Sequence, residues 1–194
     1  MFLAILCIIL QLKAHELVAP SGHDEDLPED VDNFGMFQLY ELFSKSTGVV
    51  HKLPDEAFSA TTYHPVNNGN NYEPKNARID MTEVKGNGIA WAAKNNKGDA
   101  LTVDMKTSRI VTGVATQGRA DDNQYVTRYS VEVSESGTEW ESQGEFVGNF
   151  NHLTVTQVRF ETPVFARFVK FTVLKYHSHA SMRVDVLVYE PKYN

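Results

Sequence analysis

The residues best equipped for chemistry sit in loops. In the segment 112–140, TGVATQGRADDNQYVTRYSVEVSESGTEW, two runs with period-two alternation flank a polar loop that carries Arg119, Asp121 and Asp122. A guanidinium forks to two adjacent hydroxyls or to a carboxylate, and carboxylates accept from hydroxyls. A second loop holds Asn67, Asn68, Asn70 and Asn71 between Tyr63 and Tyr72. Planar amides both donate and accept, and an aromatic ring offers a flat apolar face, so the set suits a hydroxyl-rich ligand such as a pyranose. His177 and His179 form a His-x-His pair, which on a strand puts both rings on one face and could supply two zinc ligands. Sequence fixes no third. There is no G-x-S-x-G elbow, P-loop, H-E-x-x-H or dinucleotide fingerprint, and the one cysteine is Cys7. The pattern points to binding rather than catalysis.

The elements that must hold these loops are strands. Leu101, Val103 and Met105 alternate with polar residues, as do Tyr129, Val131 and Val133, and Met182, Val184, Val186 and Val188. Each such strand is expected to bury one face. Clusters of Gly, Asn and Asp at 67–71, 86–88, 95–99, 120–123 and 136–137 punctuate them. Short strands at this spacing argue for a sandwich or jelly roll. Trp91 and Trp140 read as packing residues, Trp140 as a buried one at the end of its Ser-Gly turn. Arg167 shares its strand parity with Phe165, Val169, Phe171 and Val173, which predicts a guanidinium paired inside the domain.

With 194 residues and 42% hydrophobic content there is room for one full-sized domain. The run from Phe2 to Leu12 is too short to span a bilayer and about right for a signal-peptide core, with cleavage after Ala14 or Ala19 within residues 1–19. The alternative is a buried first element of a cytosolic chain. The formal charge of −7 resides near the N-terminus. Glu16, Asp24, Glu25, Asp26, Glu29, Asp30, Asp32 and Glu41 have no Lys or Arg among them, and acids and bases balance from Leu42 onward. Residues 20–48 therefore read as an acidic linker or propeptide, with one short amphipathic stretch around Phe34, Phe37, Leu39 and Phe43 that could pack on the domain or mediate self-association. Without a basic stripe, nucleic acid is excluded as a partner.

From about 49 to 191 the chain resembles the discoidin, or coagulation factor V/VIII type C, domain. The matching blocks are LPDEAFSATTYHP at 53–65, KNARID at 75–80, GIAW at 88–91, ALTVDM at 100–105 and VTGVATQGR at 111–119. YVTRYSVEVSESGTEW at 125–140, FVGN at 146–149, ARFVKF at 166–171 and KYHSHASMRVDV at 175–186 follow in family order. The QGR loop and final strands look most like slime-mould discoidin lectins. The resemblance implies an all-β, galactose-binding-domain-like jelly-roll barrel of eight main antiparallel strands, with spike loops at one end. Many members clasp their two ends with a disulfide, and this chain has no cysteine at either end of the domain.

By this resemblance the spikes are residues 62–78, a segment around 83–88, and 117–125. Members that dock on phosphatidylserine show large apolar tips above Lys and Arg, whereas here the apolar candidates are Val66, Tyr63 and Tyr72 among Asn and Asp. A glycan or glycoprotein is thus the expected partner, and anionic phospholipid or a structural matrix role is the alternative. The expected site is Tyr63, His64, Asn67, Tyr72, Arg119, Asp121 and Tyr125, with His177 and His179 at its margin. Arg183 matches the structural Arg of the family's last strand. A structural calcium held by Asp80, Glu83 and Asp185 is a further expectation from members that carry one. A homo-oligomer would raise avidity for weak sugar sites.

Overall fold

The computed structural model describes Gly35 and residues 39–65, 72–79 and 89–190. The predicted signal peptide, nearly all of the acidic block, Phe34 and Phe37, Asn67 with its Asn neighbours, and Asp80 and Glu83 lie outside the described residues. Among the described residues, eight antiparallel strands form the domain: β1 (Ser46–Gly48), β2 (Phe58–Ala60), β3 (Trp91–Ala92), β4 (Ala100–Gln117), β5 (Tyr125–Ser134), β6 (Glu141–Val147), β7 (Thr156–His177) and β8 (Ser181–Tyr189). The main path runs β1-β8-β4-β7-β5-β6, with β2 added to β4 and β3 to β8. Trp91, Leu101, Met105, Tyr129, Phe171 and Met182 are among its fully buried side chains.

Register shows how this sheet gathers its loops. Thr156 at the start of β7 pairs with Thr116, and His177 at its end pairs with Tyr125. A straight strand of 22 residues would span roughly 70 Å. Its two ends nevertheless meet the two ends of one short loop, so the β4–β7 ribbon folds back on itself. The bend lies where pairing jumps from Asp104↔Phe168 to Arg109↔Ala166, around Lys106, whose φ is +66°.

This bend overturns the expectation for Arg167. Alternation restarts between Ala166 and Val169, both fully buried, so Arg167 faces outward with 40% of its side chain exposed. There it grips Asp104 with two bonds, Nε to Oδ1 at 2.7 Å and Nη2 to Oδ2 at 2.9 Å. Asp104 Oδ1 also accepts from the Lys106 amide at 2.8 Å, so one carboxylate caps the corner. The Arg167 bond and the Lys106 N–H hold its carboxyl down at about 2.

Two further expectations change. Trp140 is half-buried at the surface, with Lys170 Nζ 4.0 Å over its ring and Phe168 edge-on to it. β8 buries both faces for most of its length, Arg183 and Leu187 included: it lies between β1 and β4, Arg183 is held under the Gly118 carbonyl, and Val49 and Val50 reach Asp185. The N-terminal segment is tied to this last strand without a disulfide. β1 pairs with β8, and beyond it the Val49 and Val50 amides both donate to Asp185 Oδ1 at 2.9 Å.

Candidate functional site

At the gathered rim a pocket of about 190 Å³ is lined by His64, Tyr72, Ala92, Arg119, Gln124 and His179. Four chain segments deliver these residues, Ala92 coming from β3 itself. His64 and Tyr72 are tied to β3 through His64 N to Ala92 O at 2.8 Å and Ala92 N to Tyr72 O. Arg119 and Gln124 face each other across the tight β4–β5 loop, whose neck is the Arg119 N to Gln124 O bond of 3.0 Å. His179 comes from the β7–β8 turn, in which Ser178 has a φ of +58°.

Arg119 is the centre of the arrangement. Its side chain is 12% exposed, and its Cζ lies 4.8 Å from the Tyr72 ring centroid. Asp121 takes two of its five N–H donors, at 2.6 and 2.9 Å. Among the described residues, Nη1 reaches Gln124 Oε1 at 3.3 Å and Asp122 Oδ2 at 3.8 Å, long contacts that a ligand oxygen could replace. The bond to Arg119 holds the Asp121 carboxyl below the usual carboxylate range. Below the loop, Arg183 Nε donates to the Gly118 carbonyl at 2.8 Å and fixes the residue preceding Arg119.

The imidazoles close the pocket. His64 and His179 meet edge to face at 5.8 Å, and His64 meets Tyr72 the same way at 5.9 Å. Burial, then the neighbouring His64, then Arg119 push His179 below the ordinary imidazole range. It is therefore neutral at pH 7, with one ring nitrogen able to accept a hydroxyl proton.

Of the residues expected from sequence, His64, Tyr72, Arg119 and His179 line one pocket, and Asp121 braces it. Tyr63 stands beside it, 43% exposed, outside the lining. Tyr125 and His177 stack on each other at 4.8 Å and likewise do not line it. Gln124 was missed, although its Oε1 joins Arg119 to Ser181 Oγ at 2.9 Å and its Nε2 donates to Asp122. Nothing in a loop's composition tells which of its amides turns inward. Tyr72, read as an apolar tip, is buried at 7%. Besides Tyr63, Phe150 and Leu153 are exposed apolar residues here among the described residues, on a loop that sequence reasoning passed over.

Of the expected calcium ligands, Asp80 and Glu83 lie outside the described residues, and Asp185 is engaged by backbone donors. Its Oδ1 accepts from the backbone N–H of Val49, Val50 and Val186, whose dipoles would oppose a positive ion there. Among the described residues, no group of three His, Cys, Asp or Glu side chains is placed to hold a metal, so His177 and His179 gain no third partner.

Comparison with known proteins agrees with this architecture. Lactadherin from Mus musculus is 33% identical over 146 residues, covering 70% of this chain and 31% of that protein. The matched region spans about a third of the length of the lactadherins. Discoidin II from Dictyostelium discoideum superposes with a TM-score of 0.66 at 18% identity, over 76% of this chain and 59% of that one. The family 32 carbohydrate-binding module of NanJ from Clostridium perfringens, solved with galactose, gives 0.56 at 21% identity over 73% and 98%. The F5/8 type C domain model matches residues 57–186, and the chain belongs to that family.

Proposed function

We propose that this chain is a secreted sugar-binding module that holds a terminal pyranose of a cell-surface or matrix glycoconjugate and serves adhesion or recognition. The observation that carries the reading is the Arg119 fork, braced by Asp121 and stacked on Tyr72 inside a pocket whose other polar groups are two imidazoles and an amide. Such a site offers donors, acceptors and ring faces within reach of one small ligand. The galactose in the NanJ module is consistent with this choice on the same fold. Asp121 and Asp122 beside Arg119 oppose an anionic phospholipid headgroup, so phosphatidylserine is the weaker reading. No step of catalysis is invoked.

The test is a glycan array probed with the multimerised chain, since lone sugar sites are weak and arrayed ones are not. The reading requires sugar-dependent signals that vanish with Arg119→Ala. Signals that are absent, or that survive this substitution, refute it.

A further inference from the structure

The loop between β6 and β7 carries an apolar surface that the pocket does not use. Within nine residues, Val147 is 76% exposed, Phe150 72%, Leu153 59% and Val155 38%. This loop is not loosely held. Asn149 is 3% exposed, and its Nδ2 donates to Thr116 O, Thr154 O and Thr156 Oγ1. Asn151 Oδ1 accepts from the amides of Leu153 and Thr154 at 2.9 and 2.7 Å. The apolar side chains are therefore presented to water by a braced scaffold, which marks a contact surface.

The loop also abuts the pocket. His152 Nδ1 is 3.0 Å from the Arg119 carbonyl, and Gln117 Nε2 donates to Leu153 O. A Cβ on Gly118 would lie 2.6 Å from His152 Cα, so the two loops touch backbone to backbone. The loop that carries Phe150 and Leu153 is thus a direct neighbour of the loop that carries Arg119.

We propose, resting on the sugar reading above, that this loop engages the apolar phase beneath a neutral glycolipid whose headgroup sugar occupies the pocket. Charge selects the leaflet: residues 147–155 include no Lys or Arg, and Asp121 and Asp122 lie on the adjoining loop, so an anionic surface is disfavoured. Size argues against a second copy of the chain. Four such side chains expose on the order of 400 Å² together, half of the ~800 Å² per partner typical of a stable interface.

The test uses phosphatidylcholine vesicles alone, with galactosylceramide, or with phosphatidylserine, beside soluble galactosylated albumin. The chain carrying Phe150→Asp and Leu153→Asp, both exposed positions, is expected to bind the albumin like the unaltered chain. Its binding to galactosylceramide vesicles falls about tenfold or more. Equal binding of both proteins to those vesicles overturns the inference, as does a preference for phosphatidylserine or a dimer in sedimentation that the double substitution dissolves. A chain that binds neither galactose probe overturns the inference for this headgroup, whereas the sugar reading itself falls only if the glycan array is silent as well. One that binds albumin but gains nothing from the vesicle overturns only the role of the loop.

Discussion

Arg119 rests its guanidinium 4.8 Å above the ring of Tyr72 and turns its Nε edge to Asp121. The stack and the carboxylate fix the plane of the fork before any ligand arrives, which lowers the ordering cost of binding. Arg119→Ala should weaken sugar binding on the order of 10- to 100-fold, as for lost hydrogen bonds to a charged group. Arg119→Lys keeps the charge but loses fork and stack, and should recover little of that affinity. Titration calorimetry against galactose or a larger glycan from the array checks both.

The pocket should fail in acid. His179 is pushed below the ordinary imidazole range by burial, His64 and Arg119. Its folded form therefore resists the proton, and stability as well as acceptor capacity is present above the unfolded value and lost as pH falls below it. Affinity for a neutral sugar should drop as pH falls below the ordinary imidazole range. His179→Gln keeps an acceptor without the titration, so its pH profile should be flat over that range. A profile unchanged by the substitution would show that His179 takes no proton from the ligand.

A separate acid limb belongs to the bend. Asp104 is held down at about 2 by Arg167, so it stabilises the fold above the usual carboxylate range and stops doing so as pH falls from about 4 toward 2. Urea midpoints for Asp104→Asn should be lower than those of the unaltered chain at neutral pH and converge with them in that window. Arg167→Gln should behave alike.

Closure of the termini should be sensitive to one methyl group. A Cβ on Gly48 would lie 2.0 Å from Asp185 Oδ2, the carboxylate that also receives the Val49 and Val50 amides. Gly48→Ala should cost about 1–3 kcal/mol, as overpacking does, and should open residues 39–48 to trypsin. Denaturation with the same midpoint would mean that this junction has room to relax.

The strands were legible because Leu101, Val103, Tyr129, Val131 and their neighbours alternate where one face is buried, and the QGR loop announced itself by composition. The bend was not. Nothing in ARFVKF says that parity restarts at Ala166, because that depends on how far β4 loops out around Lys106. Arg167 was misplaced for that reason, and the both-sided burial of β8 was hidden because its neighbours there, Val49, Val50 and Gly118, are remote in sequence. Arg119, Tyr72, His64 and His179 could be nominated by type, but their meeting depends on three loops returning to one rim. Phe150 was invisible because an isolated aromatic residue in a loop reads equally well as a plug or a tip.

The most direct measurement is a proton–nitrogen correlation spectrum of the labelled chain during titration with galactose. Saturable shifts should concentrate on the Arg119 Nε–H, the Gln124 side-chain amide and the backbone of His64, Ala92 and His179, and should be absent in Arg119→Ala. Shifts confined to the opposite end of the barrel around residues 105–108 and 134–141, or no shifts with any glycan that the array retains, would contradict the assignment of this rim as the sugar site.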